Sequence, residues 1–200
     1  MLIETDFIQG SDEWHAARKK SIGGTGIQKI ITSRGDRSKQ RGDYLYEKAS
    51  QILTGKSKPL FKTYEMQWGN DHEPEARDLF SLIKNVTVLE CAMIWADESK
   101  SSHVSPDGYF DDTGLEIKCP MLKNHIKYLE AEKLPTAYKL QVQSSLALTG
   151  WGSWWFMSYF PGVKPFIMEV ERDEDLIRII KAEVKIFLRD LNTLIEELKS

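Results

Sequence analysis

Asp107, Glu116 and Lys118 lie in one short stretch, Ser105 to Pro120, of a 200-residue chain, and their types and spacing suit metal-assisted phosphodiester chemistry. Leu115, Ile117 and Cys119 alternate with Glu116 and Lys118. On a strand, where side chains repeat every second residue, this puts the carboxylate and the ammonium on one face and the apolar groups on the other. Asp107 is separated from that strand by Gly108, Asp111-Asp112 and Gly114, all turn formers, so a hairpin would return it to the side of Glu116. Two carboxylates suit a hard cation such as Mg²⁺, whose remaining ligands are waters and phosphate oxygens. Such a cation lowers the pKa of a water and polarises the phosphoryl oxygen, while Lys118 orients or deprotonates the nucleophile and offsets charge on the phosphate. The chemistry expected is that of a nuclease.

The charge distribution agrees once it is placed along the chain. The formal net charge is −3, yet residues 18 to 62 hold twelve Lys or Arg against three acids, a surplus of +9 that leaves −12 elsewhere. One basic face toward a polyanion and one acidic face toward solvent follow. With 41% hydrophobic and 28% charged residues the chain can bury a core, and one nuclease domain over residues 1–200 is expected. There is no basic and apolar leader at the N-terminus, and the run Trp151 to Phe160 is too short to span a bilayer, so a soluble cytoplasmic protein is expected. Cys91 and Cys119 have no Cys-x-x-Cys or His-x-x-x-His partner, which predicts buried reduced thiols rather than zinc ligands.

The elements that must position the three charged residues can be sketched from caps and periodicity. Ser11, followed by Asp12 and Glu13, predicts a helix ending near Ser21. Gly23, Gly24 and Gly26 surround Thr25 in a turn whose free N–H groups could receive an anion, though no Walker lysine follows. Arg34 to Arg41 reads as a mobile basic loop, then a helix capped by Asp43 and ended by Gly55, then a connection over Lys56 to Pro59. Val86 to Leu89 and Met93 to Trp95 predict a strand pair. Lys123 to Lys133 predicts a helix with His125 exposed, and Ala137 to Leu148 a helix closed by Gly150. Two strands, Trp151 to Tyr159 and Pro165 to Val170, precede a long amphipathic helix capped by Asp173. The alternation of helices and strands implies an α/β fold with a mixed central sheet.

Four separated motifs, in order, resemble the phage lambda exonuclease and YqaJ-type viral recombinase family of the PD-(D/E)xK nuclease superfamily. They are Gly10-Ser11-Asp12-Glu13-Trp14-His15-Ala16-Ala17-Arg18 with Ile22 and Thr25; Trp68-Gly69 through Glu73 to Ala76-Arg77; Ser105-Pro106-Asp107 with Glu116-Ile117-Lys118; and Gln141-Val142-Gln143. The resemblance implies a metal-dependent exonuclease that degrades one strand of linear duplex DNA from its 5′ end, releases 5′-mononucleotides and leaves a 3′ overhang for recombination. By the same resemblance Asp107, Glu116, Lys118 and Gln143 are catalytic, and Glu73, Asp107, Glu116 and the Ile117 carbonyl hold two Mg²⁺ ions that Mn²⁺ can replace. Arg18, Thr25 and Ser105 bind the terminal 5′-phosphate. Also implied are a homotrimer around the duplex, a single-strand annealing protein as partner and a bacterial host cytoplasm. Pro74 departs from the family pattern and is expected to begin a helical segment or kink a longer one, with Glu75 the substitute should Glu73 point away. Met66 is expected in the core. The same residues would serve an endonuclease, and a DNA-binding adaptor without turnover is the rival of another class.

Overall fold

The computed structural model describes residues 1–57 and 63–200. Lys58, Lys62 and the Pro59 end of the expected connection lie outside the described residues. The N-terminal elements are β1 (Leu2–Glu4), α1 (Asp12–Lys20), β2 (Ile22–Gly23) and the single-turn α2 (Gly24–Ile27). The Ser11 side chain caps α1 by accepting from the Trp14 N–H, with acids in the first turn and Arg18, Lys19 and Lys20 in the last, where each offsets the helix dipole. Helix α3 (Arg41–Thr54) starts after Gln40, two residues before the expected Asp43 cap, and ends at Gly55 in the left-handed conformation.

The loop before α3 is docked rather than free. Arg37 pairs with Glu183 at 3.1 Å and Arg41 with Asp190 at 3.1 Å, both acids on the C-terminal helix. Helix α4 (Tyr64–Lys84) continues through Pro74 without a break, so Glu73 sits in mid-helix. A proline costs one interior hydrogen bond; burial of Ala76 and Phe80 in the next turn holds the helix together beyond it. Met66, near its start, is about half exposed instead of packed in the core.

Asn85, in the left-handed region, ends α4. Residues 86–89 then form no strand, only an isolated bridge from Leu89 to Tyr109, because Val86 and Val88 spend their apolar surface on a local cluster. The strands that follow are β3 (Met93–Trp95), β4 (Ser102–Val104), β5 (Gly108–Phe110) and β6 (Thr113–Lys118). Next come α5 (Leu122–Ala131), α6 (Thr136–Thr149), β7 (Ser153–Ser158), β8 (Phe166–Glu171) and α7 (Glu174–Lys199).

The fold is mixed α/β, but the strands form two four-stranded sheets, β1-β3-β4-β2 and β5-β6-β7-β8, where one central sheet was expected. Each sheet contains one parallel pair, β2 with β4 and β6 with β7. A parallel neighbour needs a long crossover, which α5 and α6 supply between β6 and β7. Leu115 and Ile117 of β6 pack in a cluster with Ala76 and Phe80 of α4, while Trp154 and Phe156 of β7 join the larger core with α6 and the stripe Leu176, Ile180, Val184, Phe187, Leu191 and Ile195 of α7.

Two expectations about small residues change. The β5–β6 turn is Asp111-Asp112 alone, with Asp111 at φ 46°; Gly108 and Gly114 lie within strands. A Cβ at Gly114 would run into the Trp154 ring and one at Gly108 into Val88, so both glycines serve close packing rather than turning. His125 is buried, not exposed: its Nε2 donates to the Lys164 carbonyl at 3.0 Å, leaving Nδ1 to accept from the Ser158 hydroxyl at 2.8 Å. Cys91 and Cys119 are free and buried as expected, which pushes both thiols up to about 12. Among the described residues no helix is long and apolar enough to cross a membrane.

Candidate active site

The β5–β6 hairpin brings Asp107 back beside Glu116. The Asp107 N–H donates to the Leu115 carbonyl at 3.0 Å, and its carboxylate Oδ2 accepts from the Ile117 N–H at 2.6 Å. Lys118 Nζ pairs closely with Glu116 Oε1 and stands 3.8 Å from Asp107 Oδ2, so one ammonium serves both carboxylates. Glu73 joins them from α4. The agent of that approach is Arg77, which donates from Nη2 to Glu73 Oε1 at 2.7 Å and from Nε to the Asp107 carbonyl at 2.6 Å, while its Nη1 pairs with Glu90 at 2.8 Å. A planar guanidinium with several fixed donors can tie a helix to a strand in this way, as a lysine cannot. Arg77 is not among the site residues expected from the sequence, although its four-residue spacing from Glu73 is visible there.

The electrostatics describe a site short of one cation. Burial, and then the Asp107 charge, push Glu73 up to about 7 against the pull of Arg77 and Lys118. Burial lifts Glu116 to about 7 as well, with Lys118 opposing and Asp107 assisting. Burial alone would lower Lys118, but Glu116 and Asp107 outweigh it and hold the ammonium above its ordinary range. Among the described residues no three His, Cys, Asp or Glu groups form a ready-made metal cage. The reason is local: Lys118 covers Glu116, Arg77 covers Glu73, and the Ile117 N–H covers Asp107. The donor chemistry still fits Mg²⁺. Asp107 and Glu116 share a single counter-cation, and a hard ion of higher charge needs just one or two carboxylates. Glu73, Ile117 and Lys118 line one open cleft of about 410 Å³ with Asn70, Asn124 and Tyr138. Glu75, the substitute for Glu73, points elsewhere and lies 3.5 Å from His72.

Raised carboxylate pKa values have a consequence for stability. In the metal-free protein Glu73 and Glu116 keep protons that the unfolded chain releases above its ordinary value of 4.5. The native state therefore binds more protons between pH 4.5 and 7, and stability falls as pH rises through that window. With chelator present, Tm is expected to drop by on the order of 5 °C from pH 5 to pH 8. Adding Mg²⁺ at pH 8 should recover much of it, and a Tm flat in pH with or without Mg²⁺ would contradict this electrostatic picture.

Gln143 is not in the site. It is buried, donates from Nε2 to the Glu171 carbonyl at 2.8 Å and accepts at Oε1 from the Asp173 N–H at 2.9 Å, which ties α6 to the corner between β8 and α7. Gln141 reaches the chemistry instead, its Nε2 donating to Glu116 Oε1 at 2.5 Å. Two residues on a helix lie about 200° apart, so one glutamine of the pair must face away from whatever the other meets.

Of the three residues expected at a terminal phosphate, Arg18 meets Ser105 directly and Thr25 shares a cleft with Arg18. Arg18 Nη1 donates to Ser105 Oγ at 3.5 Å, and the Trp14 indole N–H donates to the same oxygen at 3.2 Å. The Arg18 guanidinium carbon lies 4.2 Å from the centre of the Trp14 ring, over its face. Arg18 and Thr25 line a cleft of about 360 Å³ together with Lys48 and His103, neither of which stood out in the sequence. Lys48 is buried and donates to the Arg18 carbonyl at 2.8 Å and the Lys19 carbonyl at 3.0 Å; burial, then Arg18, push it down to about 8.

Known proteins share this fold. Two crystal structures of the alkaline exonuclease LHK-Exo from Laribacter hongkongensis, one in complex with dAMP, are 31% identical to the chain, cover 94% of it and 96% of their own length, and superpose with a TM-score of 0.83. A phage-related exonuclease from Haemophilus somnus 129PT is 16% identical over 89% of this chain and 96% of its own, with a TM-score of 0.66, and shares the fold. A search of curated protein sequences found no match. The family described as the YqaJ-like viral recombinase domain matches residues 13–152, which span Trp14, Arg18, Glu73, Asp107, Glu116, Lys118 and Gln141. The chain belongs to the YqaJ-like viral recombinase family and is a nuclease of that family.

Proposed function

We propose that the protein is a Mg²⁺-dependent 5′-to-3′ exonuclease on linear double-stranded DNA that releases 5′-mononucleotides and leaves a 3′ single-stranded overhang. The observation that carries this reading is the Arg18–Ser105 contact, because Ser105 lies two residues before Asp107 and an anchor for a chain end is thereby joined to the cutting site. LHK-Exo was crystallised with dAMP, and we extend to this chain a product of that class. Mg²⁺ or Mn²⁺ held by Asp107 and Glu116, with Glu73 and the Ile117 carbonyl completing a two-ion set, would supply an activated water and polarise the scissile phosphate. Lys118, released from Glu116, would then place the nucleophile and offset phosphate charge, and Gln141 would hold the Glu116 carboxylate. Arg18, Thr25 and Ser105 would grip the terminal phosphate, fixing the next phosphodiester for in-line attack and making positioning a large part of the rate. We extend to the chain the homotrimeric ring, the annealing-protein partner and the bacterial cytoplasmic setting that the family implies.

The test uses one linear duplex with 5′-phosphate or 5′-hydroxyl ends and the same sequence as a covalently closed circle. Phosphorylated ends should be digested fastest, hydroxyl ends slower by about tenfold or more, and circles not at all. Arg18→Ala should erase most of the difference between the two ends. Full activity in chelator would remove the metal from the mechanism, and cleavage of closed circles would make the protein an endonuclease.

A further inference from the structure

Beneath the phosphate cleft lies a buried group that the proposed reaction does not use. His103 sits on β4 beside Gly23 of the parallel strand β2, and it is 1% exposed. Its Nδ1 lies 2.7 Å from Ser21 Oγ, whose own hydrogen is donated to the Ala17 carbonyl at 2.8 Å. The serine oxygen must therefore accept, so Nδ1 carries the ring proton and Nε2 is a bare acceptor. That Nε2 is buried and, among the described residues, has no hydrogen-bond partner. An unmatched buried polar atom is costly in a folded protein, and its retention calls for a reason.

The surroundings supply one. His103 lines the same cleft as Arg18 and Thr25, and Ser105, which Arg18 contacts, follows it by two residues, just past the end of β4. Nε2 passes over Gly23 so closely that a Cβ there would lie 2.8 Å from it, although Gly23, at φ −87°, has a backbone any residue could adopt. Glycine at this place thus leaves room for the ring rather than for a turn. The charged groups facing the ring are Arg18 of α1 and Lys48 of α3, which with burial hold the empty-site imidazole down to about 3. Trp95 of β3 meets it edge-on at 5.8 Å, and α6 places the Ser145 hydroxyl beside Gly24.

We propose that His103 is a specificity-determining residue of the terminal-phosphate pocket: its Nε2 and the bound phosphate monoester share one proton, which lets the pocket tell a chain end from an internal phosphodiester. A monoester titrates near pH 6 and carries close to two negative charges at neutral pH, and these charges offset Arg18 and Lys48, the cations that keep the ring neutral, so the complex can hold a proton between phosphate oxygen and imidazole. A phosphodiester has one charge and no proton to share, and it leaves Nε2 unmatched. This inference rests on the phosphate-pocket reading above and adds to it a residue and a proton.

The experiment is calorimetric titration, in chelator at pH 7, of wild-type protein with a blunt DNA hairpin carrying a 5′-phosphate or a 5′-hydroxyl, in two buffers of different ionisation heat. At this pH Lys48 is already largely protonated and the monoester largely dissociated, so proton uptake reports the imidazole. The phosphorylated hairpin should take up close to one proton more than the hydroxyl hairpin and bind about tenfold tighter or more. His103→Asn, which keeps a donor toward Ser21, should abolish the extra proton and most of the preference. Gly23→Ala, which displaces the ring and leaves His103 in place, should do the same. Equal binding of the two hairpins would overturn the phosphate pocket itself. Preferential binding without proton uptake, or with uptake unchanged in both variants, would overturn the role of His103 while leaving the pocket standing.

Discussion

Asp107→Asn will lower the rate of DNA cleavage by on the order of a thousandfold or more and leave the fold intact. The asparagine keeps the size of the side chain and an oxygen to accept the Ile117 N–H, now at 2.6 Å from Oδ2, while removing one of the two charges that share Lys118. Lys118→Met should cost as much activity for a different reason. It removes the ammonium from beside buried Glu116 and leaves that carboxylate without its close partner, so the metal-free variant should also melt earlier than wild type. Mg²⁺ should narrow the difference in Tm without restoring the rate. Single-turnover cleavage of a phosphorylated linear duplex, beside thermal melts with and without Mg²⁺, checks both. Cleavage within tenfold of wild type in either variant would place the catalytic centre elsewhere.

The two glutamines of α6 should separate chemistry from architecture. Gln141→Ala removes the 2.5 Å donor to Glu116 and should reduce the rate by about ten- to a hundredfold with little change in Tm, the size of effect expected from losing a group that orients a metal-binding carboxylate. Gln143→Ala leaves the Glu171 carbonyl and the Asp173 N–H without their partners and should cost about 1–3 kcal/mol of stability, with the rate per folded molecule nearly unchanged. Denaturant melts and active-site-normalised rates on the two proteins make the comparison. The reverse pattern would return Gln143 to the site.

Much of the site could be read from the chain because it is built from local geometry. Glu116 and Lys118 share a strand face by the period of two, and Asp107 returns to them through a two-residue turn, so twelve consecutive residues determine that triad almost alone. Caps at Ser11, Asp173, Gly55 and Gly150 were legible for the same reason, since each is a bond or a backbone angle within a few residues. What the sequence left open depended on neighbours far along the chain. Which glutamine meets Glu116 is decided by the rotation of α6 against β6, and periodicity places Gln141 and Gln143 on opposite sides without saying which side is inward. Lys48 and Arg37 looked like members of a basic face turned toward a polyanion; one is buried on the carbonyls closing α1 and the other lies on Glu183 of α7, nearly 150 residues away. Gly114 and Gly108 looked like turn residues until Trp154 and Val88 were seen where their side chains would go. His103 carried no local signal at all, because the meaning of its ring comes from Ser21, Gly23 and Arg18, which a parallel strand pair and a helix end bring to it. Residue types and short spacings determined the chemistry available to this protein, whereas long-range packing, which sets burial and the direction of each side chain, decided which of those residues can take part.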